Sequence, residues 1–502
     1  MKLKEILVGI KHRNLNQDYK GLNIDIAEII TDSRKVTANS VFVAIKGTHV
    51  DGHTFITQVI EKGCKVIVCD TYESAYSDYT EVVFITVANT AACLGQLAAN
   101  FYGNASQKMK VVGVTGTNGK TTTATLLYKL FSTLGFKVGL ISTVVYRIGN
   151  QEYPSTHTTP DAVRLQELFA KMYEAGCDYV FMEVSSHAVH QFRIRGTYFT
   201  GGIFTNLTHD HLDYHGDFRS YMQAKKMFFD ELPKTAFALV NSDDKHGMDM
   251  LTHTKAYRYT YALKQPSDFK GKIMENHLSG LFLQVNGKEV HTPLVGDFNA
   301  YNFLATYGAA YLLTQQNPNE QGNAYSDLNE EEILAALSKL TAADGRLETV
   351  LIPTKPEVLA IVDYAHTPDA LEKVLQTLEQ LRTENSRIIT VVGCGGDRDK
   401  TKRPIMAKIA CTYSQYTVLT SDNPRTENPA DILKDMEKGI PSTIKDEQFI
   451  IIEDRRAAIL HAGAFAQNGD IILVAGKGHE KYQEINGIRY DFDDKEVLTH
   501  IL

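Results

Sequence analysis

Short apolar runs alternate with amphipathic segments over most of the chain. In its first half, runs with the length of single β-strands occur at residues 41–45, 65–69, 82–87, 111–114, 138–141, 179–184 and 202–205. Between two of them, Leu165, Leu168, Phe169 and Met172 follow the i, i+3, i+4, i+7 spacing of one helical face. This alternation of strands and helices predicts an α/β fold with right-handed crossovers and mainly parallel sheets.

The pattern starts again after Gly345. Further strand-length runs follow at residues 358–362, 388–392, 416–420 and 471–475. Polar stretches at 103–108 and 317–329 predict a linker and a loop. We therefore expect three domains. They are an N-terminal α/β domain at residues 1–108, a central domain of the phosphate-loop type with a mainly parallel sheet at 109–344, and a C-terminal Rossmann-like, doubly wound domain at 345–502.

Composition restricts the classes of function. The 502 residues carry a net charge of −8, with 22% charged and 43% hydrophobic residues, which is typical of a globular protein. Acidic and basic residues are interspersed, which argues against a broad nucleic-acid surface and a polybasic membrane patch. No apolar run approaches the ~20 residues of a membrane span, and the N-terminus has no apolar signal core. Six cysteines without a C-x-x-C pair predict buried or idle thiols and a cytoplasmic location.

A glycine-rich loop between an apolar strand and a helix is the clearest chemical motif. Its residues are Gly116, Thr117, Asn118, Gly119, Lys120, Thr121 and Thr122. Glycines let backbone N–H groups converge on an anion, and the helix N-terminus adds a positive dipole end. We expect Lys120 to reach the β- and γ-phosphates of a nucleotide and Thr121 to offer a hydroxyl to Mg²⁺. Val114 replaces the first glycine of the strict G-x-x-x-x-G-K-[ST] pattern, so the loop is a variant.

Residues with ligand-type side chains follow two later strands. Glu183 ends an apolar strand, where a carboxylate is costly unless it is paired or bound to a metal. Residues 206–215 include three histidines and two aspartates. The histidines suggest a zinc hydrolase, but oxygen ligands downstream of a phosphate loop favour Mg²⁺. Taken by themselves, His209 and His215 are expected to be solvated loop histidines, and Lys225 with Lys226 a solvated helix face.

Together these motifs resemble those of the Mur ligases, over essentially the whole chain and in the family's order. The matching segments are 116–122, 183–187, 206–208, 210–213, 299–302, 345–346 and 364–366. The Asp-Asn-Pro-Arg sequence at 422–425 is similar to that of the family branch that adds meso-diaminopimelate. The resemblance implies a three-domain enzyme of peptidoglycan precursor synthesis, acting as a cytoplasmic monomer without a nucleic-acid partner.

The resemblance also implies an ATP-dependent, amide-forming reaction. ATP phosphorylates the free D-glutamate side-chain carboxylate of UDP-N-acetylmuramoyl-L-alanyl-D-glutamate (UDP-MurNAc-L-Ala-D-Glu). An amine of meso-diaminopimelate attacks the acyl phosphate, and a tetrahedral intermediate collapses to an amide and phosphate. The protein's part is mainly electrostatic, because it holds two anionic substrates together with Mg²⁺ and basic groups.

Matching positions carry over the family's nucleotide and metal sites. The resemblance implies that the phosphate loop binds ATP and that Thr121 holds a first Mg²⁺. It implies that Glu183 and His211 hold a second Mg²⁺ with Lys225, which family members carry as a carbamate. Lys120, Glu183, His211 and Lys225 then form the catalytic group. Further nucleotide contacts match Asn302, Arg346, His366 and Asp369.

Two further groups match the site of the UDP-linked substrate. The uridine diphosphate part is assigned by resemblance to Ser33, Arg34 and His53. The muramoyl dipeptide is assigned to Thr156, Thr158, Thr159, Ser185 and Arg193. His157 stands inside the threonine-rich loop, where the family often has asparagine.

Three C-terminal loops that follow strands match the amino-acid site of the family. They offer arginines for carboxylates and acids for ammonium groups, which suits a zwitterion with a second amino-acid head group. The assigned residues are Arg398, Asp422, Asn423, Arg425, Gly476 and Glu480. We expect Arg425 to select meso-diaminopimelate over lysine, because a guanidinium can bind the distal carboxylate with two hydrogen bonds.

Two alternatives compete with this interpretation. A sister ligase, such as a lysine-adding Mur enzyme or a folylpolyglutamate synthetase, has the same ATP chemistry. Arg425 and the uridine-site motifs argue against it. A nucleotide-dependent switch or transport ATPase is a different class of protein. It predicts ATP hydrolysis without an amino acid and leaves the C-terminal loops without a purpose.

Overall fold

The computed structural model describes residues 1–14, 22–47, 50–208, 212–315 and 328–501. The chain divides into two compact units, formed by residues 1–269 with 305–333 and by residues 270–304 with 334–502. Most of the loop predicted at 317–329 lies outside the described residues. The domain boundaries at 108/109 and 344/345 stay a prediction.

The first unit begins with a five-stranded sheet in the order β1-β5-β4-β3-β2. Strands β2 to β5 are parallel and β1 is antiparallel at the edge. The elements are α1 (Leu3–Ile6), β1 (Arg13–Asn14), β2 (Glu28–Ile30), β3 (Ser40–Val43), α2 (Ile56–Glu61), β4 (Val66–Cys69), β5 (Val83–Thr86) and α3 (Thr90–Phe101), with 3-10 helices at Gly52–Phe55, Ser74–Asp78 and Ala105–Lys108.

The segment predicted as a polar linker at 103–108 contains the third of these 3-10 helices. Ser106 is fully buried there, and its hydroxyl accepts a hydrogen bond of 3.0 Å from the Tyr198 backbone N–H. The segment is thus an ordered turn, and its role as a linker between domains stays a prediction.

The second sheet of this unit carries the phosphate loop. Its elements are β6 (Lys110–Thr115), α4 (Lys120–Thr133), β7 (Val138–Ile141), β8 (Val145–Ile148), β9 (Gln151–Pro154), α5 (Ala162–Glu174), β10 (Tyr179–Glu183), α6 (Ser186–His190), β11 (Gly201–Phe204), α7 (Leu212–His215), α8 (Phe218–Asp230), β12 (Phe237–Asn241), α9 (Gly247–Met250) and β13 (Tyr257–Ala262). The strands run in the order β13-β12-β11-β6-β10-β7-β8-β9. All neighbours are parallel except β8 and β9.

The apolar pattern explains this packing. Every residue of β10, β11 and β12 is buried, as expected for parallel strands that are covered on both faces. The predicted face of α5 is confirmed, since Leu165, Leu168, Phe169 and Met172 are all fully buried. Asp161 precedes this helix as its N-cap, and its carboxylate accepts hydrogen bonds from two backbone N–H groups of the first turn.

The remaining elements include a second doubly wound sheet. They are β14 (Phe269–His277), β15 (Gly280–Val285), β16 (Lys288–Thr292), α10 (Asp297–Gln315), α11 (Glu330–Leu337), β17 (Glu348–Val350), β18 (Leu359–Asp363), α12 (Pro368–Leu381), β19 (Ile388–Cys394), α13 (Lys402–Tyr413), β20 (Tyr416–Ser421), α14 (Pro429–Glu437), β21 (Phe449–Ile451), α15 (Arg455–Phe465), β22 (Ile471–Ala475), β23 (Tyr482–Ile485), β24 (Ile488–Asp491) and α16 (Asp494–Thr499), with a 3-10 helix at Asp446–Gln448. The C-terminal sheet runs β17-β18-β22-β19-β20-β21, and only β17 is antiparallel.

Two further expectations concern the cysteines and the length and polarity of the helices. All six cysteines are free thiols and five are buried, as predicted. Each helix in the described ranges is too short or too polar to traverse a lipid bilayer. In both doubly wound sheets the polar loops follow the carboxyl ends of the strands, which is where ligands bind in this architecture.

Candidate active site

The loop between β6 and α4 depends on its glycines. Gly116 and Gly119 have φ angles of +151° and +87°, a region that other residues rarely adopt. A Cβ atom on Gly116 would lie 1.9 Å from Thr205 Oγ1, so no larger residue fits there. Gly119 directly precedes α4, and the chain therefore turns into the helix with its first N–H groups facing the loop.

Side chains that follow β11 hold this loop in place. Asn206 accepts hydrogen bonds from the Thr117 N–H (2.8 Å, backbone oxygen) and the Asn118 N–H (3.0 Å, side-chain oxygen). Thr205 Oγ1 donates to the Asn118 carbonyl at 2.6 Å. The residues after the neighbouring strand thus preorganise the loop. Preorganisation reduces the conformational entropy that the loop loses when it binds an anion.

Lys120 stands at the first position of α4 and reaches back over the loop. Its Nζ donates to the carbonyls of Gly116 (3.0 Å) and Thr117 (2.9 Å). An ammonium group and a helix N-terminus therefore converge on the same concavity, and both favour phosphate. Thr121 and Thr122 follow in the first helical turn, and both are buried.

Glu183 ends β10 and is 1% exposed. Its Oε1 accepts hydrogen bonds from Thr121 Oγ1 (2.9 Å) and the Thr143 N–H (2.7 Å). Its Oε2 is buried and has no hydrogen-bond partner among the residues that the structure describes. A buried carboxylate oxygen without a donor is costly. Beside a phosphate loop, this oxygen and the Thr121 hydroxyl fit a hard cation such as Mg²⁺, which prefers oxygen ligands.

Two adjacent lysines on α8 are both buried. Lys225 is 1% exposed, its Nζ donates to the Gly116 carbonyl at 2.7 Å, and it lies 4.7 Å from the centre of the Tyr221 ring. Lys225 and Lys120 thus share one loop carbonyl. The expectation that Lys226 is solvated is wrong. It is 7% exposed and forms an ion pair of 2.6 Å with Asp230, one helical turn later.

The expectation of a solvated loop histidine is also wrong for His215. It ends α7, is half-buried, and its Nε2 lies 3.0 Å from Ser186 Oγ, with its ring 5.5 Å from that of His187. His209 and His211 lie outside the described residues, so the role assigned to His211 stays a prediction. In the described part of the chain, no three His, Cys, Asp or Glu side chains converge on a metal-sized site.

Three residues assigned to the dipeptide form one hydrogen-bonded group beside Glu183. Thr159 Oγ1 donates to the Glu183 carbonyl at 2.8 Å and accepts from the Ser185 N–H at 3.1 Å. Arg193 Nη1 donates to the Thr159 carbonyl at 3.1 Å. The structure thus links a guanidinium and two residues with hydroxyl side chains to the backbone at the end of β10.

The other two threonines of that group lie on the loop after β9. Thr158 is half-buried and accepts a hydrogen bond of 3.0 Å from Thr143 Oγ1, whose backbone N–H bonds Glu183. Thr156 is exposed, and its Oγ1 lies 3.3 Å from His157 Nδ1. Thr158 therefore connects directly with the Glu183 group, whereas Thr156 faces solvent.

Ser33 and Arg34, two of the three residues assigned to uridine diphosphate, lie after β2. Three N–H groups of Arg34 donate to the Asp32 carboxylate at 2.8–3.0 Å. These hydrogen bonds lower the pKa of Asp32 to about 2. The Arg34 side chain is 86% exposed, and the Ser33 carbonyl accepts from Lys62 Nζ at 2.8 Å. Arg34 is thus accessible to an anion. Binding an anion would compete with the exposed ion pair to Asp32, which contributes little to stability.

His53 follows the 3-10 helix N-cap and lies between two carboxylates. Its Nδ1 is 2.7 Å from Asp51 Oδ1 and its Nε2 is 3.1 Å from Asp70 Oδ1. The hydrogen bonds from His53 lower the pKa of Asp51. Both ring nitrogens have a partner, and only 13% of the His53 side chain is exposed. The ring therefore holds these two aspartates in position.

In the second unit, Arg346 and His366 face the same aromatic ring. The Arg346 guanidinium lies 4.8 Å from the centre of the Tyr364 ring, and the His366 and His479 rings lie 4.5 Å and 5.0 Å from it. Burial raises the pKa of Tyr364 to about 12, so the ring stays neutral. Gly345 permits the close approach of the His479 backbone, since a Cβ on residue 345 would lie 2.2 Å from the His479 N.

Asn302 and Asp369, which were also assigned to the nucleotide, lie on separate helices of this unit. Asn302 on α10 is 5% exposed and donates to Asn299 Oδ1 at 2.9 Å. Asp369, in the first turn of α12, pairs with Lys373 at 2.8 Å. The described contacts explain how these side chains are oriented, and their nucleotide role stays a prediction.

The loops after β20 and β22 meet through the residues assigned to the amino acid. Asn423 Nδ2 donates to Glu480 Oε2 at 2.8 Å. Gly476 has a φ of +112°, and a Cβ there would lie 2.6 Å from Asp422 Oδ2. The glycine is therefore needed for the close approach of the two loops. Two carboxylates and one amide are gathered at neighbouring strand ends.

Arg425 connects the third loop, residues 395–400 after β19, to this group. Its Nη1 donates to the Gly396 carbonyl at 2.7 Å, although its own backbone has an unusual φ of +52°. Its backbone N–H donates to the Glu484 carbonyl at 3.0 Å, so the β23–β24 hairpin holds the strained position. Arg398 is exposed on the same third loop.

Sequence reasoning missed the buried cations behind these loops, among them Lys477, Arg403 and Arg455. Lys477 is fully buried, with Nζ 3.0 Å from Asn423 Oδ1. Arg403 is also fully buried and bonds Glu427 (2.8 Å) and Asp435 (3.0 Å). Hydrogen bonds, first of all from Arg403, lower the pKa of Glu427 to about 2. The signal that could have found Lys477 is a lysine between two glycines, directly after a fully apolar strand.

Comparisons with known proteins agree with this organisation. Family models described as "Mur ligase family, catalytic domain", "Mur ligase middle domain" and "Mur ligase, glutamate ligase domain" match residues 25–102, 114–310 and 345–478. A UDP-N-acetylmuramoyl-L-alanyl-D-glutamate–2,6-diaminopimelate ligase of Cytophaga hutchinsonii is 50% identical over 480 residues, which are 96% of this chain and 95% of that protein. A protein of the same name from Parabacteroides distasonis is 52% identical over 95% of each chain.

A solved structure of a protein with this name has a TM-score of 0.70 at 30% sequence identity. The similarity covers 99% of this chain and 98% of that one. The predicted three-domain α/β class is therefore confirmed, and the order of the three family models matches the order of the predicted domains. The chain belongs to the Mur ligase family.

Proposed function

We propose that this chain is an ATP-dependent ligase that adds meso-diaminopimelate to the D-glutamate of UDP-MurNAc-L-Ala-D-Glu. Near-full-length relatives at 50% and 52% identity carry the corresponding name. The observation on the molecule that carries the proposal is the meeting of the Asp422–Arg425 loop with the Gly476–Glu480 loop. Their acids and arginine suit an amino acid with two head groups.

The reaction consists of two transfers. A D-glutamate carboxylate oxygen attacks the γ-phosphorus of ATP, the bond to the β–γ bridging oxygen breaks, and ADP leaves. The amine of diaminopimelate then attacks the acyl carbon. The tetrahedral intermediate loses a proton from nitrogen and expels phosphate, so that one amide, one ADP and one phosphate are formed.

The loop of the first unit supplies the electrostatics for phosphoryl transfer. The N–H groups at the start of α4 and the Lys120 ammonium face the concavity that Gly116 and Gly119 shape. They are suited to bind the β- and γ-phosphates and to stabilise the charge that develops on them. Asn206 fixes the loop beforehand, so little reorganisation is needed during the reaction.

In this proposal Thr121 would hold a first Mg²⁺, and Glu183, His211 and a carbamate on Lys225 would hold a second. A bound Mg²⁺ would neutralise the phosphate charges and draw the reacting oxygens together. The residues themselves fit, since Glu183 Oε2 is a buried acceptor without a donor in the described structure. Thr159, Ser185 and Arg193 are hydrogen-bonded to one another and to the Glu183 backbone at the end of β10, and they are suited to orient the anionic dipeptide end.

The loops of the second unit are suited to select the amino acid. Asp422 and Glu480 attract its ammonium groups, and Arg425 can pair with the distal carboxylate. Arg425 retains donors for that pair, because Gly396 takes only one of the five guanidinium N–H groups in the described structure. A lysine substrate leaves this arginine without an anion, which is unfavourable in a partly desolvated site. The lysine-adding alternative is therefore not favoured.

The proposal also includes cytoplasmic action, because the reaction consumes ATP, and a monomeric enzyme. The test is phosphate release from ATP in the presence of UDP-MurNAc-L-Ala-D-Glu with meso-diaminopimelate, with lysine, or with no amino acid. We expect fast release with diaminopimelate alone and a product heavier by one diaminopimelate residue in mass spectrometry. Equal release in all three reactions would support a switch or transport ATPase, and faster release with lysine would support the sister ligase.

A further inference from the structure

Lys477 is a fully buried lysine that none of the assigned roles uses. It lies between β22 and β23, and its side chain is 0% exposed. Its Nζ is 3.0 Å from Asn423 Oδ1, 3.3 Å from Glu480 Oε2 and 4.0 Å from Asp422 Oδ1. Burying an ammonium group costs several kcal/mol unless acceptors surround it. All three of these acceptors belong to residues assigned to the amino-acid substrate.

The first consequence concerns the orientation of Asn423. An ammonium group has only donors, so it can face only the oxygen of the amide. Asn423 Oδ1 accepts from Lys477 and from the Glu484 N–H at 2.9 Å, and the Nδ2 group consequently points at Glu480. Lys477 and the Glu484 N–H together fix the orientation of the amide, and Lys477 and Asn423 both contact Oε2 of Glu480, which leaves Oε1 as the Glu480 oxygen not used by this group.

The second consequence concerns charge. Asp422, Glu480 and Lys477 together carry one net negative charge, and two when Lys477 is replaced by a neutral residue. Arg455, which also interacts with both carboxylates and pairs with Asp494, is unchanged by the replacement. The two candidate substrates differ in charge as well. meso-Diaminopimelate is neutral overall at pH 7, whereas lysine carries one positive charge. A more negative group would therefore favour lysine.

We propose that Lys477 is a positioning residue that sets the geometry and charge of the amino-acid site and so contributes to the preference for meso-diaminopimelate. This inference rests on the proposed function. It differs from a purely structural role in what it predicts. A lysine that only joins two loops would, when replaced, weaken the use of both amino acids to the same degree.

The experiment compares Lys477→Met and Lys477→Gln with Lys481→Met, which removes an exposed lysine four residues later. The kcat and KM are measured for diaminopimelate and for lysine, with both nucleotide substrates saturating. For Lys477→Met we expect the KM for diaminopimelate to rise about 10- to 100-fold, the range of a lost hydrogen bond to a charged group. We expect kcat to fall less than about 3-fold, since the phosphate loop is intact. The Lys481→Met control keeps wild-type values.

The selectivity of the variants is the decisive measurement. We expect the ratio of kcat/KM for diaminopimelate to that for lysine to fall at least about 10-fold in both Lys477 variants. The increase in KM is smaller in Lys477→Gln, because glutamine keeps an N–H donor for Asn423. Adding Glu480→Gln to Lys477→Met returns the net charge of the group to minus one and is expected to restore part of the selectivity.

Circular dichroism and thermal unfolding establish that the variants are folded. An unchanged ratio in folded variants overturns the proposal, and so does a proportional loss with both amino acids. If Lys477→Met does not fold, Lys477→Gln provides the same comparison. If neither folds, Lys477 is a structural residue and the inference is wrong. Absence of diaminopimelate-dependent turnover in the wild-type protein would instead contradict the proposed function itself.

Discussion

The substitution Glu183→Gln isolates the charge of the buried carboxylate from its hydrogen bonds. Glutamine keeps the volume of the side chain and the acceptor that bonds Thr121 Oγ1 (2.9 Å) and the Thr143 N–H (2.7 Å). It replaces Oε2, which has no partner in the described structure, with an NH₂ group. If this oxygen serves Mg²⁺, the replacement removes a charged ligand and presents two donors to a cation. We expect kcat to fall about 10²–10³-fold, or about 3–4 kcal/mol in the transition state.

The same substitution is expected to leave the fold almost unchanged. Both hydrogen bonds at Oε1 remain, so the free energy of unfolding should change by less than about 1 kcal/mol. Glu183→Ala is the contrasting case. It removes both bonds and leaves a cavity at a site that is 1% exposed, which should cost about 2–3 kcal/mol. The glutamine variant is therefore expected to lose activity but not stability, and the alanine variant is expected to lose both.

Turnover is measured by phosphate release over a range of Mg²⁺ concentrations, and stability by urea unfolding in a chelator. Glu174→Gln, at an exposed position of α5, is the matched control and should behave as wild type. We expect the Mg²⁺ concentration for half-maximal activity to rise in Glu183→Gln together with the loss of kcat. Turnover within about 3-fold of wild type at all Mg²⁺ concentrations would falsify the assignment of Glu183 to the metal.

Three further predictions concern lysine and arginine side chains. Lys120→Ala should lower ligation about 10²–10³-fold without changing far-UV circular dichroism, because it removes a charged phosphate contact; near-normal turnover would refute the role of the loop. Lys225 should carry a carbamate, because an ammonium would repel Mg²⁺. Removal of CO₂ should then lower activity and bicarbonate restore it, whereas indifference to CO₂ and full activity of Lys225→Ala both contradict the modification. Arg425→Ala and Arg425→Lys should lose at least about 2 kcal/mol in kcat/KM for diaminopimelate and little for lysine; variants that keep the wild-type preference show that another residue selects the substrate.

The order of elements followed from the sequence for a simple physical reason. Strands that are covered on both faces need continuous apolar runs, and helices that cover them need an apolar stripe. Leu165, Leu168, Phe169 and Met172 were predicted to share a face, and all four are buried in α5. The phosphate loop was equally visible, because Gly116 and Gly119 are needed at backbone angles that other residues rarely adopt.

Burial of polar residues could not be predicted from the same pattern. Lys225 and Lys226 are adjacent on a helix, and each was typical of a solvated face when taken alone. The structure buries both, because one meets the Gly116 carbonyl and the other meets Asp230. The sequence alone does not show that Lys225 contacts the Gly116 carbonyl, because the two residues are 109 positions apart along the chain.

In the amino-acid site, too, some features follow from the sequence and others only from the tertiary structure. Its loops were identified from acids, arginines and glycines after strands, since those residue types at strand ends predict a ligand site. Only the tertiary structure decided that Lys477 is buried among Asn423, Glu480 and Asp422, and that Arg425 is held by a hairpin that follows it in the chain. Local sequence determines the backbone angles and the apolar faces, whereas the partner of a buried charge depends on which distant loops the sheet brings together.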